Sequence, residues 1–212
     1  LRYLRSLDIV DKANIGLEGH SMGGWASVIA AQTMPNDYAA MVLEGSSTGT
    51  YGGITGTTTF PRNLGLVFSK YDEFSALMWG SPIPANIVNT AKLQTLFGAP
   101  GPVEVGKLYG DVAAGTARKL YMPAITHPYD HLSTEAIGNA IEWFQLTLKG
   151  GTPLPPSDQT WYWKEWATFV ALIGLVIFFI GFGGVLLETA FFSPLKGNVP
   201  ESKGLKGWGW VI

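Results

Sequence analysis

Ile15-Gly16-Leu17-Glu18-Gly19-His20-Ser21-Met22-Gly23-Gly24-Trp25 is the stretch on which the reading of this chain turns. A short strand candidate, Asn14 to Glu18, leads into Gly19. A helical pattern follows from Gly24 to Thr33 and stops at Met34-Pro35. Between them stands G-x-S-x-G, at Gly19, Ser21 and Gly23. In a chain with 27 glycines those letters alone say little. Strand before and helix after give them a geometry. A serine at a sharp strand-to-helix turn is held in a strained backbone conformation, with its hydroxyl clear of the sheet. Flanking glycines let the two backbones pass without a Cβ between them. The hydroxyl then lies at a helix N-terminus, where free N–H groups and the positive end of the dipole suit a developing oxyanion. Ser21 is the candidate nucleophile and the Met22 N–H a candidate oxyanion donor.

Outward from that turn, strand-like and helix-like patterns alternate through residue 150. Tyr38 to Leu43 and Leu64 to Phe68 read as buried strands. Residues 45–59, GSSTGTYGGITGTTT, form a Gly/Thr loop. Ala85 to Phe97 reads as one helix closed by Gly98. Lys107–Tyr109 and Arg118–Met122 read as a hairpin around Ala114-Gly115. Ser133 caps a helix that runs to about Leu148. Strands alternating with helices predict an α/β fold around a mostly parallel, doubly wound sheet.

Composition narrows the class. Only 14% of the residues are charged, the net charge is −2, and 47% are hydrophobic, with 8 Trp, 8 Tyr and 11 Phe. That excludes a disordered tail and a strongly basic nucleic-acid binder. Cys is absent, which excludes disulfide scaffolds, zinc–thiolate clusters and thiol nucleophiles. Three histidines, His20, His127 and His131, leave little for a metal centre; neither metal nor cofactor is expected.

Much of the missing charge is accounted for by Trp166 to Leu187, WATFVALIGLVIFFIGFGGVLL, 22 residues without a charged side chain. About 20 apolar residues span a bilayer core as a helix. Trp161, Tyr162, Trp163 and Trp166 crowd one end as an interfacial belt would. The expected organisation is a globular domain over 1–150, a Pro-rich linker with an aromatic interfacial segment over 151–165, a transmembrane helix over 166–187, and a loop over 188–212 that opens a second apolar segment near Trp208 and Trp210. Lys196, Lys203 and Lys206 after the span against Lys149 and Lys164 before it place the globular domain on the extracytoplasmic face. The start without Met, inside a helical pattern, reads as an internal fragment.

Gly-His-Ser-Met-Gly-Gly after a strand, led in by LRYLRSLDIVDKANIGLEGHSMGG, resembles the α/β-hydrolases, in particular the dienelactone-hydrolase and prolyl-oligopeptidase-like branches. The resemblance covers roughly residues 1–150, the C-terminal half of that fold. It implies a triad in the chain order Ser, acid, His. Asp72, just after the Leu64–Phe68 strand, takes the acid's place, with Glu73 as the neighbouring alternative; Asp111 and Asp130 fit less well. Two bases are open. His127 follows the last strand candidate and lies 17 residues before Phe144. His131 lies two residues before Ser133 and could also reach a site above the sheet. His127 is favoured, and His20 is read as packing or as support behind the site. The implied activity is a membrane-tethered serine hydrolase cleaving an ester, thioester or peptide bond of a small-molecule or peptide acyl substrate. The lipid bilayer is the other expected partner, and the expected activity needs the first half of the fold, with its second oxyanion N–H. A non-catalytic binding or sensing domain is the alternative. Phe74, Leu77, Met78 and Trp79 are either pocket wall or ordinary core.

Overall fold

A computed structural model describes residues 1–197. They form two units, 1–159 and 160 onward. The expected opening of a second apolar segment at Trp208 and Trp210 lies outside the described residues.

The first unit begins with a short helix, α1 (Arg2–Ser6), then β1 (Gly16–His20), α2 (Met22–Thr33), β2 (Ala40–Glu44) and β3 (Leu64–Val67). Next come α3 (Ser75–Trp79), a 3-10 turn over Pro84–Asn89, α4 (Ala91–Phe97), β4 (Leu108–Tyr109) and β5 (Arg118–Tyr121). A second 3-10 turn over His127–Leu132 leads to α5 (Thr134–Thr147). The sheet order is β1-β2-β3-β5-β4. Four strands run parallel, and only β4 is antiparallel, against β5. This is an α/β fold with a mostly parallel sheet of five strands.

The sequence explains why the sheet is covered on both faces. Every residue of β2, Ala-Met-Val-Leu-Glu, is buried, as expected for a central parallel strand. Its side chains alternate. Met41 and Leu43 join Val28, Leu64, Leu66, Phe68, Trp79 and Leu96 in one core, while Val42 joins Val67, Ala136, Ala140 and Trp143 in the other. Trp143 is locked by its indole N–H on the Asn63 carbonyl at 2.9 Å. The Ser133 hydroxyl accepts from Ala136 N at 3.1 Å, the cap that starts α5.

Strand and helix bounds move by a few residues from the sequence reading, and one element changes kind. The single helix expected over Ala85–Phe97 is broken. Thr90 is extended (φ −76°, ψ 138°), and its side chain accepts from Leu93 N as the N-cap of α4. The stretch before it, with Pro84 at its start, winds as a 3-10 turn instead.

The Pro-rich stretch before residue 160 lies on α5. Gln145 donates to the Leu154 carbonyl at 2.6 Å, and Gln159 donates to the Thr134 carbonyl at 2.9 Å. The second unit contains α6 (Trp161–Leu187), whose side chains are unburied along its length, and a short turn over Ser193–Leu195. At 27 residues, with a mean hydropathy of 2.8 over an 18-residue stretch, α6 is long and apolar enough to cross a membrane. It starts at Trp161 rather than Trp166, so the aromatic cluster belongs to its first turns.

Candidate active site

Ser21 occupies the turn between β1 and α2 with φ 53° and ψ −120°. A non-glycine residue held there stores about 1–3 kcal/mol of strain. Three hydrogen bonds keep it in place. Ser21 N donates to the Glu44 carbonyl at 2.9 Å, and the Ser21 carbonyl accepts from Gly24 N at 3.0 Å and from the Ser46 hydroxyl at 2.7 Å. A Cβ on Gly19 would lie 2.3 Å from the Gly23 backbone, and one on Gly24 would lie 2.3 Å from Ser46 Oγ. A Cβ on Gly23 would meet nothing within 4 Å. The close crossing of strand and helix therefore depends on Gly19 and Gly24. The final glycine of the G-x-S-x-G pattern is sterically free. Met22 N–H, the first of α2, has no acceptor among the described residues.

Asp72 and His127 come together, although 55 residues separate them. Asp72, wholly buried beyond β3, has Oδ2 2.8 Å from His127 Nδ1, and its Oδ1 accepts from Phe74 N at 2.8 Å. Burial raises the Asp72 carboxyl above its ordinary pKa, against the opposing pull of those two hydrogen bonds. Glu73 contributes as well: its Oε2 accepts from the His127 backbone N–H at 3.2 Å. Both carboxylates thus hold His127, one through the ring and one through the main chain. Asp111 lies in the hairpin turn, where its side chain accepts from Ala114 N.

His20 and His131 form a layer beside this pair. The His20 ring stands 4.5 Å from that of His127 and 4.0 Å from that of His131. His20 Nε2 lies 3.1 Å from the His127 carbonyl and 3.4 Å from Asp130 Oδ2. Asp130 is fully buried, and its Oδ1 accepts from the Ser69 hydroxyl. Burial alone would lower the His20 pKa; the Asp130 carboxylate and the His127 carbonyl outweigh it and raise the pKa. His131 is largely exposed and has no carboxylate hydrogen bond among the described residues, and partial desolvation together with the neighbouring imidazoles outweighs Asp130 and lowers its pKa. His20, His127 and Asp130 hold ligand atoms within 4.8 Å of one another. A metal there would have to compete with Asp72 if it used His127 Nδ1.

Ser21 and Met22 open onto an apolar pocket of about 560 Å³ walled by Trp25, Ile29, Tyr51, Phe74 and Leu77. Phe74 also stands edge-on to the His127 ring at 4.8 Å. Of the four residues left open between wall and core, Phe74, Leu77 and Met78 reach the pocket, and Trp79 is core with its indole N–H on the Ser46 carbonyl at 3.2 Å. The Gly/Thr loop is held to α2 by Gln32, which donates to the Gly52 carbonyl and accepts from Ile54 N. Ser21 Oγ makes no hydrogen bond to a described residue. Catalytic hydrogen bonds are often long before a substrate binds. Comparison with protein-family models, with curated proteins and with solved structures finds no match.

Proposed function

We propose that the globular unit is the C-terminal half of an α/β-hydrolase and works as a serine hydrolase on an ester, thioester or peptide bond. The observation that carries this reading is the buried Asp72–His127 hydrogen bond of 2.8 Å, on the same sheet end as a serine strained at a helix N-terminus. Ser21 Oγ attacks the acyl carbon while His127 Nε2 takes its proton. Asp72 holds the Nδ1–H tautomer and stabilises the imidazolium. The Met22 N–H stabilises the tetrahedral oxyanion. His127 then protonates the leaving group, and water repeats the sequence to free the acid. In this reading α6 spans the bilayer and tethers the hydrolase unit to the extracytoplasmic side.

A fluorophosphonate probe on the full-length protein tests the proposal. Labelling at Ser21, lost in Ser21→Ala together with hydrolysis of a short nitrophenyl ester, is the expected result. A loss of about 10³-fold or more is the scale for a triad nucleophile. The free Ser21 hydroxyl is the one observation that favours a second reading, a binding domain that keeps the fold without the chemistry. No labelling and no ester hydrolysis by the native protein would select it, whereas full retention of hydrolysis in Ser21→Ala would remove Ser21 as the nucleophile.

A further inference from the structure

We infer that the pocket beside Ser21 receives a neutral apolar chain of the substrate. The inference rests on the serine-hydrolase reading and specifies its substrate class.

The pocket begins at the reacting atoms. Ser21 and Met22 belong to its lining, and the opposite wall carries Phe74, which touches the His127 ring. A group bound there is therefore contiguous with the scissile bond. Every lining side chain is uncharged. Lys92 has its ammonium engaged elsewhere: it donates to the Met78 carbonyl and lies 5.1 Å from the centre of the Trp79 ring. Among the described residues an ionised substrate group would find no partner in this pocket, and burying it unpaired is costly.

The walls expose apolar surface that only an apolar occupant would bury. Met22 is 71% exposed, and Ile29, Tyr51, Phe74 and Leu77 are exposed around the same opening. Clustered exposed apolar side chains at a cleft are the signature of a binding site rather than of ordinary surface. Tyr51 strengthens the case. It holds a left-handed backbone conformation, φ 45°, which a tyrosine rarely adopts. That conformation sets its ring 4.6 Å from Trp25, with the Trp25 indole N–H on Ser47 at 3.3 Å. The polar Gly/Thr loop thereby contributes one aromatic plate to the pocket rim. A volume of about 560 Å³ lies in the range of small-molecule sites, large enough for a chain and not only for an acetyl group.

The chain could belong to the acyl part or to the alcohol part, and two substrate series separate them. With the full-length protein, kcat/KM for nitrophenyl acetate, butyrate, hexanoate and octanoate should rise about four-fold per added CH2 until the pocket fills, if the acyl part binds there. Ethyl, butyl and octyl acetates should show the same rise if the alcohol part does. Nitrophenyl hemisuccinate, of similar length to the butyrate but anionic, should be at least about ten-fold slower than it. Leu77→Asp should collapse the octanoate-to-acetate ratio toward one, or the octyl-to-ethyl ratio if that series carries the effect. Flat rates along both series, with Ser21 still labelled by a small fluorophosphonate, would overturn this inference and leave the hydrolase reading standing. No labelling at Ser21 would overturn both.

Discussion

Asp72 Oδ2 lies 2.8 Å from His127 Nδ1, and His127 N lies 3.2 Å from Glu73 Oε2, so adjacent carboxylates of one loop grip one histidine at two points. The ring contact sets tautomer and orientation. The main-chain contact sets where the ring starts from. His131, four residues on, has neither.

That difference separates the two candidate bases. His127→Ala should abolish ester hydrolysis by the full-length protein, and His131→Ala should leave most of it. Asp72→Asn keeps the shape but favours the wrong imidazole tautomer, and should cost about 10⁴-fold in kcat. Glu73→Gln, which keeps an acceptor, should cost far less. Comparable losses from the two histidine variants would break the assignment of His127, and near-normal activity in both would remove the triad.

The turn was readable in sequence because it is local: strand, glycines and helix lie within one short stretch. The helix break at Thr90 had a signal too, since Thr is a favoured N-cap, but the apolar spacing on either side hid it. Asp72 and His127 were placed through the resemblance and chain order, as composition says nothing of a contact across 55 residues. The layer of His20 on His127 was not legible, because 107 residues lie between them and only the sheet order brings them together. Nor could the pattern reveal that Tyr51 turns its ring onto Trp25, which depends on a positive φ that tyrosine does not advertise.

The two glycines after Ser21 should behave differently. Gly24→Ala places a Cβ 2.3 Å from Ser46 Oγ and 2.9 Å from the Gly19 carbonyl, so strand or helix must shift. The expected cost is about 1–3 kcal/mol, as for overpacking, together with weakened probe labelling at Ser21. Gly23→Ala meets open space and gains helix propensity, so its thermal midpoint should stay or rise by a degree or two. Equal destabilisation by the two would show that the crossing is not as close as the geometry has it.

Glu44 gives a pH signature to stability. Its carboxyl is buried at the end of β2, and burial first, then Glu18 and Asp130, push its pKa up to about 8. The folded value lies above the ordinary 4.5, so the folded protein holds this proton more tightly than the unfolded chain does. The related stability is full below pH 4.5 and is lost as pH rises toward 8 and just beyond. A tenfold difference in proton affinity between folded and unfolded chain corresponds to about 1.4 kcal/mol, so the loss amounts to a few kcal/mol. Glu44→Gln does not titrate. Its thermal midpoint should match the parent near pH 4.5 and exceed it by several degrees at pH 8.5, on the order of 2–4 °C per kcal/mol. A difference that does not change with pH would show that Glu44 is ionised in the folded protein across the range.

Sidedness is open to a direct measurement because these 212 residues hold no cysteine, so labelling at one introduced thiol can be read against the parent protein. Ser157 is exposed in the segment before α6, and Ser157→Cys in the full-length protein places the probe on the globular unit's side of α6. Carbonate extraction should leave the protein in the membrane pellet, since α6 offers 27 helical residues, about 40 Å, with no charge between Glu165 and Glu188. Lysines then set the direction. Lys149 and Lys164 precede α6, while Lys196, Lys203 and Lys206 follow it, and the richer side is expected to face the cytoplasm. A membrane-impermeant maleimide should therefore label the Ser157→Cys protein in intact cells. Labelling only after lysis would place the globular unit in the cytoplasm, and release by carbonate would remove the span itself.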